Sequence, residues 1–120
     1  MIALHQKQEQ GVSVLSFEGS LNNEGVEEIA AEFNAAIGKP SPRIVVDLSG
    51  VDLMTTPGIS MFVAALRSTA NVGGRIVFTG TQGMIDELLH RCRLDAIMTI
   101  VPKPDDAIDV ARGAGSKRTS

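Results

Sequence analysis

Two short runs, Ile44-Val45-Val46 and Ile76-Val77-Phe78, are apolar at every position. A strand with one face in water alternates apolar and polar side chains. A run without alternation is covered on both faces, as a parallel strand inside a layered α/β structure is. Between the runs, Pro57 stands at the first position of a helix whose apolar stripe is Ile59, Phe62, Val63, Leu66 and Ala70, and Gly73-Gly74 closes it. Strand, long helix, strand in that order requires a crossover, so the two strands pair in parallel with right-handed connections.

The flanks extend the same alternation. Ile2 to Gln10 reads as an edge strand and Val12 to Phe17 as a half-buried one, with a turn over Gly19-Ser20-Leu21-Asn22-Asn23. A first helix follows, capped by Asn23, carrying Val26, Ile29, Ala30, Phe33 and Ile37 inward and stopped by Gly38 and Pro40. Asp47 to Met54 reads as a loop leading out of the Ile44 strand. A third helix after Thr81 turns Met84, Ile85, Leu88 and Leu89 inward. Met98 to Val101 forms a last strand, and Pro104 opens a final helix with Ala107, Ile108 and Ala111 on its buried side. The order is β-β-α-β-α-β-α-β-α, an α/β domain over residues 1–112, with 113–120 as a flexible tail of Gly, Ser, Lys and Arg.

At 120 residues, such a chain buries roughly two-thirds of its unfolded surface and needs neither disulfide nor metal to hold its core. Its single cysteine fits a reducing, cytoplasmic setting. No run approaches the ~18 apolar residues of a membrane span. The net charge of -3 and the absence of Trp and Tyr argue against a nucleic-acid surface.

Catalytic constellations are equally scarce. His5 and His90 share no metal or triad spacing, and Cys92, at the end of the third helix, reads as a half-buried apolar filler. Gly80-Thr81-Gln82-Gly83 sits where phosphate loops sit but lacks their lysine and third glycine, so Thr81 as an N-cap accounts for it. Asp47 and Asp52 lack the acidic pair of a phosphate-accepting receiver. The informative stretch is Thr55-Thr56-Pro57-Gly58. Proline biases the residue before it toward extended backbone, which sets Thr56 as the helix cap with its hydroxyl at the positive end of the dipole. A hydroxyl there accepts a phosphoryl group without disrupting the helix, since the added charge of about -2 meets free backbone N–H groups.

The run from Ile44 through Asp47-Leu48-Ser49 to Thr55-Thr56-Pro57-Gly58-Ile59 resembles the signature of the STAS domain family, which includes bacterial anti-sigma factor antagonists and the cytoplasmic tails of sulphate transporters. Gly19-Ser20-Leu21 is similar to the family's Gly-x-Leu turn, and Gly73-Gly74 with Arg75-Ile76-Val77-Phe78 to its Gly-Gly turn and strand. Leu88 to Leu94 resembles the ending of its third helix, and Asp106-Ala107 the start of its last one. The resemblance implies a small mixed sheet with helices packed mainly on one face. It also implies a domain that binds proteins and is not an enzyme; no cofactor is expected, and the sequence leaves the oligomeric state, monomer or weak dimer, open. In the antagonist branch the unmodified domain binds an anti-sigma factor that is also a serine kinase, and phosphorylation of a serine ends the contact. That serine falls on Thr56, ahead of Thr55, with Asn22, Asn23, Thr55, Pro57, Gly58 and Met61 as the surrounding partner face. The sequence departs from the pattern where Thr55 replaces an aspartate, Pro57 a serine, and Asn22 a frequent acid. These changes leave open an alternative within the family, an unphosphorylated adaptor subunit on the ATPase of a lipid-transport complex.

Overall fold

The structure, a computed structural model, describes residues 2–40 and 42–113. Five strands form one sheet in the order β1-β2-β3-β4-β5. β1 (Ile2–Glu9) and β2 (Val12–Leu21) are an antiparallel hairpin; β3 (Arg43–Met54), β4 (Arg75–Thr79) and β5 (Thr99–Ile100) follow in parallel, so the sheet is mixed. The helices are α1 (Asn23–Ile37), α2 (Thr56–Asn71), α3 (Gly83–Arg91) and α4 (Pro104–Arg112), with a 3-10 turn at Leu94–Ala96. None of them is long and apolar enough to cross a membrane.

The unalternating runs do what two-sided burial demands. Ile44, Val46, Ile76 and Phe78 point into the larger core beneath α1, α2 and α3. Val45 and Val77 point the other way, joining Val12 and Val14 under Ala107, Ile108 and Ala111 of α4. The helices thus lie mainly on one face, as expected. α4 is fixed at its C-terminus by two arginines that are register partners on β3 and β4. Arg43 Nη1 donates to Ala111 O at 3.3 Å and Arg75 Nη1 to Val110 O at 2.8 Å, placing cations at the negative end of the helix dipole.

Several boundaries differ from the sequence reading. Gly19 to Leu21 is strand, not turn, because β1 holds it on one side (Ile2 opposite Gly19) and β3 on the other (Leu21 opposite Met54). The glycine is still needed: Gly19 has φ +113°, at the register shift between Gly19 and Ser20. Asp47 to Met54 is likewise strand, not loop. Beyond Asp47, β3 loses β4 as a neighbour but keeps pairing with the end of β2. The most buried row of α2 is Gly58, Phe62, Ala65 and Thr69, while Ile59, Val63 and Leu66 are half-buried and Ala70 is exposed. Small residues on the inner row let the helix lie close to the sheet, and Thr69 satisfies its hydroxyl within the helix by donating to Ala65 O at 3.0 Å.

α3 buries Ile85 and Leu89, half-buries Leu88 and leaves Met84 65% exposed. Its N-cap is Gln82 in place of Thr81, whose hydroxyl donates to Asp86 Oδ1 at 3.2 Å. Cys92 is exposed, beyond the helix's buried row. The final strand is confined to Thr99–Ile100. Gly113 caps α4 with φ +89°, and the expected tail beyond it lies outside the described residues.

Candidate partner-binding site

β2 and β3 run in parallel and end together, Leu21 opposite Met54, so the helices that follow them start side by side. Asn22 and not Asn23 caps α1: its backbone is extended, and its side-chain oxygen accepts from Gly25 N at 2.9 Å. Thr55 and not Thr56 is the extended residue before α2, which makes Thr56 the first helical residue and Pro57 the second. Thr55 does not use its hydroxyl as a cap. Its backbone N donates to Leu21 O at 3.1 Å, and its hydroxyl turns toward the same carbonyl at 3.5 Å.

Leu21 O therefore ties the two helix starts together, and the glycines explain how closely. A Cβ on Gly58 would stand 2.9 Å from Leu21 O and 3.1 Å from Leu21 Cβ. A Cβ on Gly25 would overlap Ser20 O. Both positions require glycine because another backbone occupies the side-chain space. Leu21 and Gly25 were not singled out as site residues from sequence. The signal for Gly25 was a glycine inside an otherwise helical pattern, which marks a close approach.

The seven expected site residues gather at this one edge of the domain, beyond the C-terminal ends of β2 and β3, but are not equally presented. Asn23 and Thr56 are exposed; Asn22, Thr55, Pro57 and Met61 are half-buried; Gly58 is buried. Of the first amides of α2, Pro57 has none, and Gly58 and Ile59 both donate to Thr55 O, at 2.9 and 3.2 Å. The Thr56 N–H is thus what remains there for an anion, a narrower cradle than the sequence suggested. The first turn of α2 carries no carboxylate. Acids enter the edge from elsewhere: Glu24 lies in the first turn of α1, and Asp52 Oδ1 accepts from the Ser20 hydroxyl at 2.8 Å. Among the described residues, no three His, Cys, Asp or Glu side chains come together as a metal site.

The cap assignment has a direct consequence. Asn22→Ala should lower stability by about 1 kcal/mol in urea unfolding. Asn23→Ala should stay within about 0.5 kcal/mol. Equal losses at the two positions would contradict Asn22 as the cap.

In a scan of protein families, the model described as "STAS domain" matches residues 3–107. Among solved structures, an anti-sigma factor antagonist from Mycobacterium paratuberculosis is 25% identical, with a TM-score of 0.77, over 93% of this chain and 95% of that one. An anti-sigma-factor antagonist (STAS) domain protein from Planctomyces limnophilus is 22% identical, with a TM-score of 0.81, over 90% and 96%. The Bacillus cell fate determinant SpoIIAA in its phosphorylated form is 20% identical, with a TM-score of 0.67, over 89% and 97%. The last two likenesses are ones of fold. No curated protein sequence matches the chain.

Proposed function

The chain belongs to the STAS domain family, and from that premise we propose that it is an anti-sigma factor antagonist whose contact with its partner is broken by phosphorylation of Thr56. The partner in this reading is an anti-sigma factor that is also a serine kinase. It docks on the edge formed by Asn22, Asn23, Thr55, Thr56, Pro57 and Met61, with Gly58 holding that edge in shape. The likeness to the Mycobacterium paratuberculosis antagonist, over nearly the full length of both chains, supports the class.

The observation that carries the choice of residue is the contrast between the two threonines. Thr55 is half-buried with its hydroxyl turned back on Leu21 O, whereas Thr56 is exposed at the first position of the helix. In the transfer, Thr56 Oγ1 bonds to the γ-phosphorus of ATP, the bond from that phosphorus to the β–γ bridging oxygen breaks, ADP leaves, and the hydroxyl proton passes to a base of the kinase. The phosphate gains the Thr56 N–H and the positive end of α2, so the fold persists. The partner, packed against this edge, meets a charge of about -2 beside Asp52 and Glu24 and is released by repulsion and bulk.

Titration calorimetry of the cognate anti-sigma factor tests this. Thr56→Ala should bind within about threefold of wild type and resist modification by the kinase. Thr56→Glu should weaken binding by about 100-fold, the scale of an uncompensated charge in an interface. If both variants bind as wild type does, Thr56 is not the switch.

The second reading, a fixed adaptor on the ATPase of a lipid-transport complex, is favoured by one observation: the lack of any carboxylate in the first turn of α2 to assist a kinase. Its mark is Thr56 unmodified in intact-mass spectra of protein from cells in every growth phase, together with copurification of the ATPase.

A further inference from the structure

α2 departs from the other helices in its outer surface. α1 carries Glu24, Glu27, Glu28 and Glu32; α3 carries Asp86, Glu87 and Arg91; α4 carries Asp105, Asp106, Asp109 and Arg112. α2 has one charged side chain in its 16 residues, Arg67, although the helix lies on the surface. A helix face turned to water normally carries several charged side chains, as α1, α3 and α4 do. Two shallow depressions run along this face and share Val63 and Arg67; one includes Ile59, and the other Leu66, Ala70 and Ile97. Ile97 is 59% exposed at the rim. Arg67 makes no hydrogen bond or ion pair among the described residues, unlike Arg91 and Arg112, which pair with neighbouring acids, and Arg43 and Arg75, which hold α4.

We infer that this face is the seat of an amphipathic helix of the protein partner, which lays aliphatic side chains along Ile59, Val63, Leu66 and Ile97 and sets a carboxylate against Arg67. The inference rests on the reading of the chain as a partner-binding protein and names the chemistry of that partner. From Ile59 to Ala70 the strip is about 16 Å long at 1.5 Å per residue, the length of three turns of a helix laid alongside, which anchors at i, i+3, i+4 and i+7 spacing. Charge selects among occupants. A second copy pairing α2 with α2 has no carboxylate to offer, since α2 contains none. A nucleic acid would meet one cation on a chain of net charge -3. A helix with a single acid satisfies the guanidinium and buries the apolar strip at once.

The probe is a pair of capped, alanine-based helical peptides with leucines at i, i+4 and i+7, identical except for Glu or Lys on the flank of the leucine row. Each is titrated into the 15N-labelled full chain. With the Glu peptide, amide shifts should concentrate at Ile59, Val63, Ala64, Arg67 and Ile97, and its Kd should be about tenfold lower than that of the Lys peptide. Arg67→Glu, an exposed substitution that leaves the core intact, should reverse the preference. Equal affinities for the two peptides, shifts elsewhere, or no binding by either would overturn the inference. No kinase takes part, so failure of the Thr56 switch would leave this result standing, and failure here would leave the calorimetric test of Thr56 intact.

Discussion

Phe62→Ala lowers the stability of the domain by about 4 kcal/mol, the middle of the range for removing a buried aromatic ring from a packed core. The chain has four phenylalanines and no other aromatic residue, and all four are at most 1% exposed. Phe62 is their hub. Its ring meets Phe17 edge-on at 5.5 Å, Phe33 at 5.6 Å and Phe78 at 5.4 Å, so one side chain of α2 joins β2, α1 and β4. Each edge-to-face pair adds about 1 kcal/mol to the area buried, and the cavity left by truncation is lined by three rings that cannot collapse into it. Against a total of about 5–15 kcal/mol, the loss leaves a marginal fold. Calorimetry should show Tm falling by roughly 15 °C. Phe62→Leu, which keeps most of the volume, should cost about 1.5 kcal/mol. A fall of only a few degrees for the alanine variant would show that the four rings do not hold the elements together as the geometry indicates.

Gly25→Ala adds one methyl group and costs about 3 kcal/mol, the upper end of the range for overpacking. Alanine is ordinarily the better helix residue by about 1 kcal/mol, so helix propensity alone predicts a gain. The tertiary contact reverses the sign: the new Cβ overlaps Ser20 O, a backbone atom whose strand is pinned by β1 and β3. Relief requires α1 to lift from the sheet at its first turn. That movement breaks the Asn22–Gly25 hydrogen bond and shifts the edge on which Asn22, Asn23 and Thr56 sit. The variant should therefore lose both stability, in urea unfolding, and affinity for the proposed anti-sigma factor partner. Gly83→Ala is a matched control, because nothing stands within 4 Å of its Cβ; with φ +53° there, it should cost only the local strain of about 1 kcal/mol. Equal or smaller losses at Gly25 would refute the close contact as the reason for its glycine.

Where the sequence reading held and where it failed follows from the range of the forces involved. The two-sided strands, the four helices and their order were legible, because hydrophobic periodicity reports how many faces of each element are covered. So was Pro104 as a helix start. The extents of β2 and β3 were not. Gly19-Ser20-Leu21 and Asp47 to Met54 look like turn and loop in isolation, and they are extended because each supplies the other's hydrogen-bonding partner across a long sequence separation. The cap of α2 slipped from Thr56 to Thr55 for the same kind of reason, whereas that of α1 moved from Asn23 to Asn22 through a local bond, Asn22 Oδ1 accepting from Gly25 N. Leu21 O, met through the folded chain, decides where Thr55 points.

By itself the sequence determined the layers: which runs are buried twice, which helices cover them, and that a threonine-proline pair opens the second helix. Periodicity and proline act within a few residues, so they can be read without a partner. Only the tertiary structure arranged the candidate site. It brought the starts of α1 and α2 together over one carbonyl, turned the Thr55 hydroxyl inward while Thr56 stayed exposed, and demanded glycine at 25 and 58 because a foreign backbone fills the space where a side chain would stand. Leu21 against Thr55 and Gly58 joins segments distant in the chain, and Ser20 against Gly25 spans the bend from β2 into α1; no hydrophobic period encodes either distance.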